Sequence, residues 1–531
     1  MRVAETLTAP HRRRSQCVRS WVLYCGSFVS KAAAISRLHR KQALGDSEHP
    51  IIVCRVKPVQ TSPTIQPGQS LTSRHILKTN RKFSMRFEVE RDSDIIIELE
   101  GLLVWTSVWY GKCQIKVEVC AMKEGNRKIV GLAVCVVVII ASCGLAQDWP
   151  QWRGLNRDGK VSGFAAPKKW PKEFTQKWKV TVGQGDSTPA LVGDKLYVFT
   201  LQDGNEVTLC LNASDGKEVW RDKYAAQAVT GAAARHPGPR SSPAVADGKV
   251  VTLGVAGVLS CLDAGTGKVV WRKDPFPAVV PKFFTAMSPI IVDGMVIAHL
   301  GGQGNGAIIA YDLAGGNEKW RWAGEGPEYA SPALLTVAGT KQVVTLAEKS
   351  IVAVGVADGK LLWQLPFAPA MRAYNAATPI IDGKKVIYTG AGRGTRAVKI
   401  EKEADGFAAK ELWSNPDVAP QFNTPVLKDG LLFGLSNQGN LFCINAQTGQ
   451  TAWTDATKHG RGGFAAIVDA GSVLLALPST SELIVFKPSG TEYAELARIK
   501  VAETPVYAHP VIAGNRVFVR DQDSLTLWTI E

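Results

Sequence analysis

The sequence predicts an all-β protein: an eight-bladed β-propeller of four-stranded antiparallel blades, closed by pairing its N- and C-terminal strands. Three observations carry this. A turn phrase ending in Trp recurs five times without a gap, and a phrase of two apolar strands around a tight turn recurs eight times. An orphan strand before the first repeat matches a strand missing from the last.

The first phrase reads NASDGKEVW to Trp220, DAGTGKVVW to Trp271, DLAGGNEKW to Trp320, GVADGKLLW to Trp363 and NAQTGQTAW to Trp453. Gly216, Gly267, Gly316, Gly359 and Gly449 each stand four residues before their Trp. Glycine supplies the positive φ of a tight turn, and Asn212, Asp263, Asp312 and Asn445 can bond back to the turn's amides. The phrase is therefore a hairpin whose second strand ends in a large aromatic. Trp413 ends a similar strand after the longer insertion IEKEADGFAAKELW.

The second phrase precedes each hairpin, for example STPALVGDKLYVF, SSPAVADGKVVTL, MSPIIVDGMVIAH and AHPVIAGNRVFVR. Apolar strand, DG-type turn and apolar strand make the other half of a four-stranded sheet. Spacings of 41 to 54 residues fit a propeller blade. Small Ala, Ser and Thr beside Pro fit a crowded inner strand near the axis, and the outer Trp can pack between blades. After VRDQDSLTLWTIE the last blade has only three strands, and TQKWKVTV around Trp178 supplies the fourth, removing the open edges.

Before the repeat stands RKIVGLAVCVVVIIASCGLAQDW, residues 127 to 149. Eighteen residues without a charge, Ile129 to Ala146, follow Lys123, Arg127 and Lys128, which is the pattern of a secretory signal. Three readings stand: cleavage after Gly144-Leu145-Ala146, a lipobox ending at Cys143 as the lipidated residue, or an uncleaved anchor just long enough to span a bilayer. Met122 would make the signal N-terminal. The expected organisation is thus 1–121, an over-extended gene start or poorly structured extension; 122–146, signal or anchor; 147–173, an entry segment; and 174–531, the propeller. The expected location is the periplasm or cell envelope.

The formal charge of +15 belongs mainly to the segment before the signal: residues 1–128 hold 22 Lys+Arg against 11 Asp+Glu, and the rest holds 40 against 36. The propeller is therefore not expected to bind nucleic acid. Seven of ten Cys lie at or before Cys143. Cys210, Cys261 and Cys443 occupy one repeat position, where Ala310 stands in another blade, and read as small buried residues rather than redox groups. No metal-ligand spacing is present.

LDAGTGKVVW, preceded by SPAVADGKVVTLGVAGVLSC, resembles the pyrroloquinoline quinone (PQQ) repeat over about residues 174 to 531, and DWPQWRGLNRDG is similar to the entry segment of PQQ-like envelope propellers. The resemblance implies one of two functions. Quinoprotein alcohol dehydrogenases hold PQQ on the axis with Ca²⁺, an Asp base and a disulfide between adjacent Cys, whereas BamB-like members are scaffolds without cofactor. This chain has no adjacent Cys pair, no haem motif and no evident Glu/Asn/Asp constellation; Asp186 and Glu328 lie near inner strands but read as solvated carboxylates. The expectation is an exported, monomeric, noncatalytic scaffold with no cofactor, binding an envelope protein or polysaccharide. The alternative is a dehydrogenase using PQQ with Ca²⁺.

Loops leading into the inner strands ring one mouth of the channel, where a propeller's ligand would meet side chains. They carry His236, Arg240, Phe284, Tyr329, Arg372, Tyr374, Gln421, Phe422, Asn423, Arg461, Phe464, Tyr507 and His509. Either the aromatics pack against the next blade, or with Arg240, Arg372 and Arg461 they line a mouth for an anionic or sugar-like ligand or a peptide.

Overall fold

The computed structural model describes residues 148–531 except 370–373 and 461, together with the backbone of four strands between Met85 and Val119. The export segment 122–146, Cys143 and the question of the gene start lie outside the described residues. Clustering of the chain separates two units, Met1–Leu145 and Ala146–Glu531. In the first, Met85–Glu90 pairs antiparallel with Asp94–Leu99, which runs parallel to Cys113–Val119, itself antiparallel to Trp105–Tyr110.

The second unit is an eight-bladed propeller. Blade 1 runs from Ala190–Val192 through Lys195–Gln202 and Asn205–Asn212 to Glu218–Ala225, each strand antiparallel to the next. Six further sheets follow in the same order, with inner strands Ala244–Ala246, Ile290–Val292, Ala333–Val337, Ile380–Asp382, Val426–Lys428 and Ala465–Asp469. Blade 8 combines Val511–Ala513, Arg516–Arg520 and Ser524–Thr529 with Thr175–Thr181 from the other end of the chain, antiparallel, with Thr526 facing Lys179. The closure read from the sequence is the closure observed.

The turn glycine and the outer tryptophan are partners across blades. A Cβ on Gly267 would lie 2.5 Å from the Trp220 ring, one on Gly316 2.6 Å from Trp271, one on Gly359 2.3 Å from Trp320 and one on Gly449 2.6 Å from Trp413. Each glycine thus has two reasons to be glycine, its positive φ and the indole seated on it. The indole N–H then donates to a carbonyl of the same turn: Trp220 to Ala264, Trp271 to Leu313, Trp320 to Val356 and Trp413 to Ala446. Trp178 closes the circle by donating to Ala213 O of blade 1 at 3.3 Å. Cys210, Cys261 and Cys443 are free, fully buried and directly opposite Trp220, Trp271 and Trp453 on the adjacent strand, which confirms them as small residues making room for an indole.

Three junctions depart from this rule. Between blades 6 and 7, Trp453 donates to Ser489 O and meets Tyr493, while the turn's Gly490 faces Leu431 instead. Blade 5 replaces its short turn with a hairpin of ten-residue strands, Gly394–Glu403 and Gly406–Asn415. Its Phe407 and Ala409 pack on the cluster around Trp363, whose N–H turns to Gln342 of its own blade. In blade 7, Ala497 faces Val485 where the tryptophan would stand. Blade 8, built from both chain ends, has no turn to receive one; Trp528 donates back to Val501 O instead.

Nearer the axis, the Ser or Thr preceding the inner-strand Pro accepts the corresponding backbone N–H of the preceding blade. These bonds run from Thr188 to Ser242, Ser242 to Ser288, Ser288 to Ser331, Thr378 to Thr424 and His509 to Thr188, at 2.9 to 3.1 Å.

Gly316→Ala should cost about 3 kcal/mol, combining backbone strain with a ring clash. Gly294→Ala, also at positive φ but with nothing within 4 Å of its Cβ, should cost about 1 kcal/mol. Urea denaturation of the two variants measures the difference.

Candidate functional site: a plugged axis beneath an aromatic bowl

Every inner strand runs from an entry loop at one end of the channel to a tight turn at the other, so the molecule has an entry-loop face and a turn face. Residues 148–161 fill the axis between them. Asp148 Oδ1 accepts the N–H of Gly193 in a turn-face loop, and Trp149 bridges antiparallel to Leu191. The chain therefore climbs toward the entry-loop face, and Pro150 O accepts from Val245 of blade 2. It descends again where Lys160 bridges parallel to Asp469 of blade 7.

At the top of this U, Arg153 donates to Thr424 O and Pro425 O of blade 6. Arg157 donates to Ser288 O and Pro289 O of blade 3 and Pro332 O of blade 4. Trp152 donates to Thr378 Oγ1 of blade 5 and lies edge-on to His509 of blade 8, with centroids 4.8 Å apart. One short segment thus touches all eight blades, which only an axial segment can do. Both arginines are buried and held by carbonyls. Burial pulls Arg153 down to about 10 and Arg157 to about 9, the latter helped by Arg153, and both stay charged at neutral pH.

Above the plug the entry loops form a continuous belt. His236 Nδ1 lies 2.7 Å from Asp186 Oδ2, and the His236 ring meets Tyr507 edge-on at 4.7 Å. Tyr507 meets Phe464 at 5.1 Å, and Phe464 stacks on Phe422 at 4.2 Å with planes 8° apart. Phe422 leads to Tyr374 at 5.3 Å, and Tyr374 touches both Tyr329 and Phe283. Arg240 completes the circle by donating to Phe283 O and His236 O, both at 2.7 Å, beside the Tyr329 ring. All eight blades contribute. The stacked faces of Phe422 and Phe464 are turned to each other along the belt. Leu155, at the tip of the plug and 64% exposed, forms the floor.

Of the sequence candidates, the structure brings together His236, Arg240, Tyr329, Tyr374, Phe422, Phe464 and Tyr507. Gln421 is half-buried beside Phe422. Three candidates sit elsewhere. Phe284 is buried in a satellite cluster with Val255, because its backbone is left-handed at φ 65°, and Phe283 takes the place in the belt. Asn423 is buried, bonding Leu435 O and Gly463 O. His509 is buried beneath the belt against Trp152, where burial first and Arg153 second hold its ring neutral. Arg372 and Arg461 lie outside the described residues. Arg240 is spent on carbonyls, so the belt is not a cationic mouth at that position.

The sequence reading missed Phe283, Asp186 as a belt member and the axial role of the WRG segment. Phe284 stands five residues before Pro289, as Tyr374 does before Pro379, so spacing favours the wrong phenylalanine. The two unpaired Arg beside Gly154 and Gly159 were the available signal for the plug. Asp186 and Glu328 are not freely solvated: burial pushes the Glu328 carboxyl up to about 7, against a bond from the Asn375 amide.

The groups present do not match the quinone and Ca²⁺ site that dehydrogenase membership implies. The axis is taken by this chain's own backbone, and among the described residues no three His, Cys, Asp or Glu converge as a ligand set. An outer-rim cleft of about 340 Å³ around Tyr311, Glu318 and Arg321 lies away from the belt.

Arg157→Ala strands three blade carbonyls and should cost about 3 to 5 kcal/mol, with faster proteolysis after residue 147. Glu328 binds its proton more tightly folded than unfolded. Its contribution therefore favours folding below about pH 4.5 and is lost as pH rises through about 7. Glu328→Gln should accordingly gain on the order of 2 kcal/mol over wild type at pH 8 and nothing at pH 4, read from denaturation midpoints.

A family model described as outer membrane protein assembly factor BamB matches residues 230–455. The curated BamB of Burkholderia pseudomallei is 23% identical over 66% of this chain and 86% of its own length. Methanol dehydrogenase subunit 1 of Methylorubrum extorquens is 26% identical over 30% of this chain and 27% of its own. Among solved structures, BamB from Moraxella catarrhalis superposes with a TM-score of 0.51 at 16% identity, covering 67% of this chain and all of that one. Quinohemoprotein alcohol dehydrogenase from Comamonas testosteroni gives 0.55 at 15%, covering 74% and 82%. The eight repeat blades and these likenesses together support a PQQ-like propeller family.

Proposed function

We propose that this protein is an exported, noncatalytic propeller that works as a binding scaffold in the cell envelope and engages its partner at the aromatic bowl. The observation that carries the reading is the axis itself. The position a quinone would need is spanned by residues 149–161, hydrogen-bonded to seven blades and in edge-on ring contact with the eighth, while the belt above is a ring of half-buried aromatics with Leu155 exposed. An axis filled by the chain itself, under a half-buried aromatic belt, is chemistry for contact rather than turnover.

The BamB-named relatives, which match over most of their length, support a scaffold role and an envelope location. Likeness to methanol dehydrogenases covers about a third of the chain and supports the shared blade rather than the reaction. The half-buried rings of the belt, Tyr374 and Tyr507 among them, suit contact with an apolar or aromatic group.

The double variant Tyr374→Ala/Phe464→Ala removes two belt members while leaving the Trp–Gly contacts and the plug intact. In capture from solubilised envelope, partners retained by wild type should be lost at least tenfold by the variant at an unchanged melting temperature. Equal retention of every partner places the binding surface elsewhere.

A further inference from the structure

The plug and the strand that closes blade 8 are joined by residues 162–174, and both ends of this connection lie on the turn face. Val161 N–H donates to Asp469 O at the foot of the blade 7 inner strand, and Thr175 faces Thr529 where the third strand of blade 8 ends. The connection therefore crosses the turn face from axis to rim. Asp148 is tied to Gly193 on that same face, so the described chain enters the propeller there and not at the bowl.

The crossing segment has a marked composition. Lys160, Lys168, Lys169 and Lys172 are exposed, and none has a carboxylate partner among the described residues. Phe164 and Trp170 stack at 6.3 Å and sit half-buried on the core, with Glu173 the acid within the segment. Elsewhere on the turn face the acids of the blade turns are mostly neutralised, as in Asp215–Lys217, Asp293–Lys341, Asp358–Lys360 and Asp382–Lys385. Asp194 and Asp247, on blades 1 and 2, stand without a lysine. Unpaired positive charge thus gathers beside blades 7 and 8, interleaved with aromatics.

We propose that residues 160–173 form a strip that docks the turn face on an anionic lipid surface. The lysines meet headgroup phosphates while Trp170 and Phe164 settle at the interface, where amphipathic rings belong. Two independent features converge: charge complementarity with acidic lipid, and the start of the described chain at Asp148 on the same face. The propeller then sits turn face down, with the aromatic bowl facing away from the bilayer and open to a partner. The strip stands apart from the bowl, so the inference holds whatever the bowl binds.

The test is amide hydrogen exchange of the full chain with vesicles of phosphatidylglycerol and of phosphatidylcholine. Residues 162–173 should exchange at least tenfold more slowly on phosphatidylglycerol, and the entry loops at 183–189 and 503–509 should be unchanged. Lys168→Glu/Lys169→Glu/Lys172→Glu should weaken this local docking roughly a hundredfold and abolish the protection, as should molar salt. Trp170→Ala should weaken it with the charge kept. The apolar run is common to all variants, so its own insertion does not produce the difference. Protection at the entry loops, protection that survives charge reversal, equal protection on phosphatidylcholine, or none at all each overturns the proposal.

Discussion

The fold depends on one repeated contact, an indole laid on the turn glycine of the next blade. A four-stranded blade cannot bury both faces alone, so each is stable only against its neighbours. The contact fixes their spacing twice, through ring burial and through an N–H bonded to the turn carbonyl. The Cα hydrogen of glycine gives the ring its seat, and the small residue opposite gives the ring its depth. Where the contact is missing the architecture differs: blade 5 substitutes a long hairpin, the blade 7 turn sets Gly490 against Leu431 rather than Trp453, and blade 8 has no turn because the two chain ends meet there.

Closure of the ring leaves an axis, and how that axis is filled decides what the protein can do. Two arginines without carboxylates would be costly to bury alone. Here the cost is offset by at least five blade carbonyls that would otherwise face the channel unbonded. Arg153 and Arg157 also hold left-handed backbone, φ 59° each, a strain that persists because the surrounding carbonyls over-determine it. The plug is therefore built into the ring.

Much of this was legible in the sequence. Repeat count, blade boundaries, strand closure around Trp178 and the packing role of Cys210, Cys261 and Cys443 follow from spacing and residue size alone. The pairing of a glycine with the tryptophan of a different blade was not legible, because both fall within one phrase and read as a single local hairpin. The mouth was half legible. Tyr329, Tyr374, Phe422, Phe464 and Tyr507 were found by their place before an inner strand, whereas Phe283 and Phe284 differ only in backbone φ, which composition does not encode. Arg240 looked like a ligand-binding charge because carbonyl acceptors carry no sequence signature.

The central claim is that the axis belongs to the chain itself and not to a cofactor. Equilibrium dialysis of the purified protein against PQQ with Ca²⁺, followed by dye reduction with a panel of alcohols, tests it most directly. The account predicts no saturable binding and no turnover. Stoichiometric binding accompanied by alcohol-dependent dye reduction would contradict it.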